Sequence, residues 1–192
     1  MRRTIAATVS QSGIGLHSGK PCTVALKPST RTGWILNGYP VRSLPIVSGQ
    51  LATVLAVGHA TVSTVEHLFA ALYAHRIDDI LIDIVGGETP ILDGSAEQWY
   101  QAIHPRVKEE SVMAFSPRQP IHLEANDASI PLYPAHEFSA RMHVVFEGYA
   151  PQTFDGTLID FTKAMKARTF GYVDQLTALN QAGYAKGATA EN

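Results

Sequence analysis

Ser63-Thr64-Val65-Glu66-His67-Leu68-Phe69-Ala70-Ala71-Leu72 is the stretch on which the reading of this chain turns. Val65, Leu68, Phe69 and Leu72 recur at i, i+3, i+4 and i+7, and at about 100° per residue they share one helical face. That face is expected in a core. Ala70, Ala71 and Ala74 are small enough to let another backbone or a ligand approach, so the helix reads as buried nearly all round. Glu66 and His67 stand out in that apolar setting. His67 points roughly 150° away from the apolar stripe, toward an expected cleft between elements. Ser63-x-x-Glu66 is the capping-box pattern, in which a Ser hydroxyl and a Glu carboxylate satisfy free N–H groups at a helix start. A carboxylate beside an imidazole in a first turn equally supplies a general base and a metal ligand. Spacing alone leaves both open. The stretch is neither His-Glu-x-x-His nor His-x-x-Glu-His, because position 63 is Ser and position 70 is Ala.

The chain has 192 residues, enough for one domain or two small ones. Hydrophobic residues make up 45% and charged residues 17%, as in a folded globular protein. Fifteen basic against seventeen acidic residues give a formal charge of −2, which leaves no electrostatic footprint for nucleic acid. Cys22 is the only cysteine, which excludes an internal disulfide and a multi-thiolate metal site and fits a reducing compartment. Residues 4–9 are too short and mixed for a secretory core, and no run reaches the length of a transmembrane segment. The expected location is cytoplasmic, with any membrane link peripheral.

Outward from the central helix, residues 4–9 form a β-prone run leading into Gly13-Ile14-Gly15-Leu16-His17-Ser18-Gly19, a glycine loop that carries His17. Cys22, Val24 and Leu26 alternate with polar or small neighbours as a half-buried strand, which makes Cys22 a packing residue. Asn37-Gly38 between Trp34-Ile35-Leu36 and Tyr39-Pro40-Val41 signals a hairpin, with Pro40 marking an edge arm. Residues 53–57 and 79–85 read as strands, separated by the Gly58-His59-Ala60 turn and the central helix. Ser95 and Gln98 repeat the capping-box pattern and open a helix over 96–103. Residues 106–120 have the composition of a linker. The pattern then begins again: strands over 121–124, 129–133 and 138–146, the last with Phe138, Ala140, Met142 and Val144 inward, then helices over 160–166 and 173–181, with Gly183 as the C′ residue. The expectation is an α+β chain of two similar small sandwich domains, each of strands plus two helices. The first covers 1–105, the linker 106–120, and a partial second domain 121–192, incomplete at its C-terminus.

Four stretches together resemble one family: Gly13-Ile14-Gly15-Leu16-His17-Ser18-Gly19, Ser63-Thr64-Val65-Glu66-His67-Leu68, Pro90-Ile91-Leu92-Asp93-Gly94-Ser95-Ala96 and Ala167-Arg168-Thr169-Phe170-Gly171-Tyr172. In this order and spacing they are similar to the UDP-3-O-acyl-N-acetylglucosamine deacetylases of lipid A biosynthesis. The resemblance implies two α+β sandwich domains with the active site between them, and zinc-dependent hydrolysis of the N-acetyl amide of an acylated UDP-sugar. It implies His67 as the first of three zinc ligands and Glu66 as general base on a zinc-bound water. It implies Thr169 as the hydroxyl that polarises the amide carbonyl, with Phe170 and Tyr172 lining the sugar and acyl path. The segment from Val173 through residues 183–188 falls at the family's acyl-passage insert.

The resemblance also implies two more zinc ligands from a His-x-x-x-Asp helix and a later His as general acid, beyond the position at which this sequence stops. Of His17, His59, His75, His104, His122, His136 and His143, only His75 has an Asp four residues on, Asp79, and that pair precedes the acyl-passage segment instead of following it. The expectations are a deacetylase front part that a complementing C-terminal fragment would complete, or else a non-catalytic relative that binds a nucleotide sugar, an acyl chain or a partner protein. A second domain without its closing elements is expected to expose an apolar sheet face.

Overall fold

The computed structural model describes residues 2–103, 107–108, 116–125, 128–146 and 148–192. The chain groups into two compact units, Met1–Ser111 with Ala164–Asn192, and Val112–Lys163. Among the described residues the architecture is mixed α+β.

The first unit begins with β1 (Thr4–Ile5), β2 (Val9–Ile14) and β3 (Pro21–Pro28), followed by β4 (Trp34–Leu36) and β5 (Tyr39–Pro40). Next come β6 (Ile46–Ser48), β7 (Val54–Val57), β8 (Ala60–Ser63), α1 (Glu66–Ala74), β9 (Ile80–Val85), α2 (Glu97–Ile103) and β10 (Val107–Lys108). Five strands form one sheet in the order β2-β3-β9-β4-β5, and β6-β7-β8 form a second. In β3 and β9 the alternation of apolar residues fixes the register. Val24 faces Ile84 and Leu26 faces Ile82 across an antiparallel ladder, and all four are buried. Val65, Leu68 and Leu72 of the central helix and Trp99 and Ile103 of α2 join that face in one core cluster. A sheet face and two helical stripes thus bury one another as two layers.

Local signals account for the edges. Asn37 and Gly38 both adopt positive φ, 46° and 89°, which turns β4 into β5. The Asn37 side chain also pairs with the β9 backbone, taking the Ile84 N–H at 2.8 Å and donating to the Ile84 carbonyl at 3.1 Å. β5, with Pro40, is an edge strand as expected.

In the second unit β11 (Ile121–Ala125) pairs with β12 (Ala128–Leu132), and β13 (Ser139–Val144) pairs with β14 (Gln152–Thr157) ahead of α3 (Leu158–Lys163). The first unit resumes with a 3-10 turn at Ala164–Lys166 and α4 (Val173–Gln181). Gly183 at φ 92° follows the last helical turn as its C′ residue.

Several expectations are corrected. The 4–9 run is two strands, and β2 continues into the glycine stretch. β8 and β14 were not anticipated. Phe138, Met142 and Val144 are 39%, 44% and 43% exposed rather than turned inward. Most of the expected linker, and His104, lie outside the described residues, while Val107–Lys108 inside it pair with Thr4–Ile5. Residues 164–192 group with the first compact unit. Met165, 3% exposed, carries this return by accepting the Ala96 N–H at 3.1 Å.

Candidate active site

The capping box at Ser63 and Glu66 does not form. α1 has Val65 as its N-cap, with no side-chain cap, and the Ser63 hydroxyl turns to the Gly87 carbonyl. Glu66 instead accepts the Thr53 N–H at 3.2 Å, which leaves most of its acceptor capacity unused by that bond. Its carboxylate sits in the first turn of α1, where the helix dipole favours negative charge. At the second capping-box pattern only the hydroxyl half appears: Ser95 takes the Glu97 N–H at 3.1 Å, and Gln98 bonds to Asp93.

His67 is half-buried beside Glu66. Burial lowers its proton affinity, the negative charges of Glu66 and Asp93 raise it, and burial wins, so the imidazole sits below its ordinary pKa. A neutral ring with a lone pair to offer is the form a metal or a proton requires. Asp93 is also held low, for a different reason. Burial raises its carboxyl, but bonds from the Ser95 hydroxyl at 2.8 Å, the Ser95 N–H at 3.1 Å and Gln98 hold it below the ordinary range.

Thr169 is tethered one residue from Asp93, its N–H donating to the Gly94 carbonyl at 2.8 Å next to a Ser95–Arg168 bridge. Asp93, whose charge acts on the His67 ring, is thus next in sequence to the residue that anchors the Thr169 backbone. Phe170 is 62% exposed and meets Tyr172 edge to face at 5.8 Å, with Tyr172 the N-cap of α4. Cavities of about 290 and 460 Å³ lie at Trp34–Val41 and Thr4–Pro28 and touch none of these residues.

Three other histidines of the first unit have settings of their own. His75, at the far end of α1, is stacked on Tyr100 at 4.0 Å and bonds to the Tyr100 carbonyl. His59 is an exposed turn residue. His17 is structural: its Nδ1 accepts the Ala185 N–H at 3.3 Å and its Nε2 faces the Leu51 carbonyl at 3.2 Å, so the pair fits an Nε2–H tautomer.

The residue that the sequence reading missed is Glu88, 2% exposed. It accepts the N–H groups of His17 and Ser18 and the hydroxyl of Thr64, each at 2.9 Å. The only sequence signal was an acidic residue between a strand-ending Gly86-Gly87 and Thr89-Pro90.

Among the described residues, no group of three His, Cys, Asp or Glu side chains is placed to hold a metal ion. Catalytic zinc ordinarily takes three protein ligands. The donor set present, one imidazole with an adjacent carboxylate, does not complete such a site among the described residues.

Comparison with known proteins places the chain among sugar-amide deacetylases. The family model described as "LpxC: UDP-3-O-acyl N-acetylglycosamine deacetylase" matches residues 2–192. The UDP-3-O-acyl-N-acetylglucosamine deacetylase of Thermosynechococcus vestitus is 36% identical over 207 residues, covering 100% of this chain and 72% of the relative. The enzyme of the same name from Nitratidesulfovibrio vulgaris is 32% identical over 98% of this chain and 67% of its own length. That from Synechocystis sp. is 34% identical over 100% of this chain and 76% of its own. The chain belongs to the UDP-3-O-acyl N-acetylglycosamine deacetylase family. No helix among the described residues is long and apolar enough to cross a membrane.

Proposed function

We propose that this chain carries the front half of a deacetylase active site acting in the cytoplasm on UDP-3-O-acyl-N-acetylglucosamine or a similar acylated nucleotide sugar. Glu66 is the general base that takes a proton from the attacking water. Thr169 donates to the amide carbonyl as negative charge develops on its oxygen. Phe170 and Tyr172 line the sugar and acyl path. His67 offers its neutral imidazole as the first of three zinc ligands. A zinc ion held there with further ligands would supply a water of lowered pKa and polarise the carbonyl. The observation that supports this reading is the Thr169 N–H bonded to the Gly94 carbonyl at 2.8 Å, next to Asp93, a carboxylate whose charge acts on His67.

With one ligand in hand, the 192-residue polypeptide alone is expected to bind zinc weakly and to release no more than traces of acetate. The chain spans 72% of the Thermosynechococcus vestitus relative, whose remainder the test supplies. The test adds the C-terminal part of the Thermosynechococcus vestitus relative to this chain and measures bound zinc and acetate release. Activity should appear on mixing and fall about 10²–10⁴-fold in Glu66→Gln. Tight zinc and full turnover by the chain alone, or recovered activity that survives His67→Ala, would overturn the reading.

A further inference from the structure

A carboxylate withdrawn from water is expensive unless its oxygens are fully engaged, and Glu88 is engaged from two directions. Oε2 takes the Ser18 N–H, and Oε1 takes both the His17 N–H and the Thr64 hydroxyl. An ionised carboxylate is acceptor-only, which suits a site where every neighbour is a donor. The glycine stretch is shaped to admit it. A Cβ on Gly15 would overlap the Glu88 Oε2 atom, so only glycine allows the carboxylate in.

Thr64 is the other half of the arrangement. Its φ of 60° is a left-handed backbone that β-branched residues rarely adopt. It is held at both ends, its hydroxyl on Glu88 and its carbonyl on the Thr89 hydroxyl. α1 starts immediately afterwards without a side-chain cap. The direction of its first turn, and so the placement of Glu66 and His67, follows from how Thr64 is held.

We propose that Glu88 is a positioning residue that fixes the start of α1, with Glu66 and His67, against the glycine loop; its functional sense rests on the reading of those two residues given above. Neither the candidate chemistry nor the motifs used to recognise the family include it.

The test is NMR of the full chain with labelled histidines. Glu88→Gln keeps the size but turns an amide donor toward donors, and Glu88→Asp keeps the charge but loses reach. Both should displace the His67 ring and the His17 and Glu66 amide signals, while the His75 ring at the other end of α1 stays in place. Unchanged His67 and Glu66 signals in folded Glu88→Gln would overturn the proposal. So would equal displacement of His67 and His75, the mark of general loosening. If the Glu88 variants fail to fold, Thr64→Val removes one donor alone and should displace His67, and Thr64→Ser should restore it; no displacement in Thr64→Val would also overturn the proposal. Zinc added to the wild-type chain mixed with the C-terminal part of the Thermosynechococcus vestitus relative separates the two readings. A silent His67 ring would remove the metal-ligand role, while its displacement in Glu88→Gln would still establish the positioning.

Discussion

Burial drives the Glu88 carboxyl upward, and the bonds from His17, Ser18 and Thr64 more than reverse it, so its pKa lies below the ordinary value. A carboxyl depressed in the folded state contributes stability that is complete above the unfolded pKa, about 4.3, and is lost as pH falls through the lower folded value. Acid unfolding of the wild-type chain should therefore steepen below about pH 4.3. Glu88→Gln should lose about 2–3 kcal/mol at neutral pH and show a flatter acid limb. Urea melts of both proteins at pH 7 and pH 3 measure this, and parallel pH profiles would contradict it. The same carboxylate, after burial itself, helps push the Cys22 thiol up to about 11, which makes the lone cysteine a packing residue, as its strand position implied. Glu66 and His67 stood out as candidates in the sequence because a local helical stripe exposes whatever interrupts it. Glu88 was not, because its donors are 70, 71 and 24 residues away, and no periodicity reports a contact of that kind.

Elements with self-contained signals were read correctly, and those defined by partners were not. The β4–β5 turn needs only Asn37-Gly38, and α4 ends where Gly183 allows a left-handed residue. β8 and β14 are strands because β7 and β13 lie beside them, and nothing within either segment required it. The docking of residues 184–188 onto the glycine loop is likewise partner-defined. The Gly187 N–H donates to the Leu16 carbonyl at 2.9 Å, the Lys186 N–H reaches the His17 carbonyl, and the His17 ring meets Tyr184 edge to face at 5.5 Å. A Cβ on Gly187 would run into the Gly15 carbonyl. Gly187→Ala should accordingly detach this segment, because the obstacle is backbone and cannot swing aside. Amide exchange at Gly187 and Ala185 should rise at least ten-fold, while the β3 and β9 amides keep their protection. Unaltered exchange at Gly187 would show that the close approach does not hold the segment.

At the scale of the molecule, apolar burial is concentrated in the first unit. Its core cluster runs from Ile5 to Ile103, with Leu26, Leu36, Leu68, Leu72, Ile80 and Ile82 fully buried. The second unit repeats the order of strands then helix, which is why the sequence suggested a similar domain, but burial does not follow order. Every residue of β12 is exposed, as are five of the six in β13, and Leu123, Ile130 and Leu132 are 55%, 58% and 44% exposed. Two-stranded hairpins without a covered face are marginal in water, whereas core strands share the global stability of their unit. Hydrogen exchange of the intact chain should then show two tiers, with β3 and β9 amides protected about a thousand-fold more than those of β11–β14, the ratio that roughly 4 kcal/mol of local stability provides. Substitution should follow the same division. Leu26→Ala should cost about 2–5 kcal/mol, and Leu123→Ser or Ile130→Ser no more than about 0.5 kcal/mol. Equal protection in the two units, or a large loss from Ile130→Ser, would mean that something covers those strands in solution.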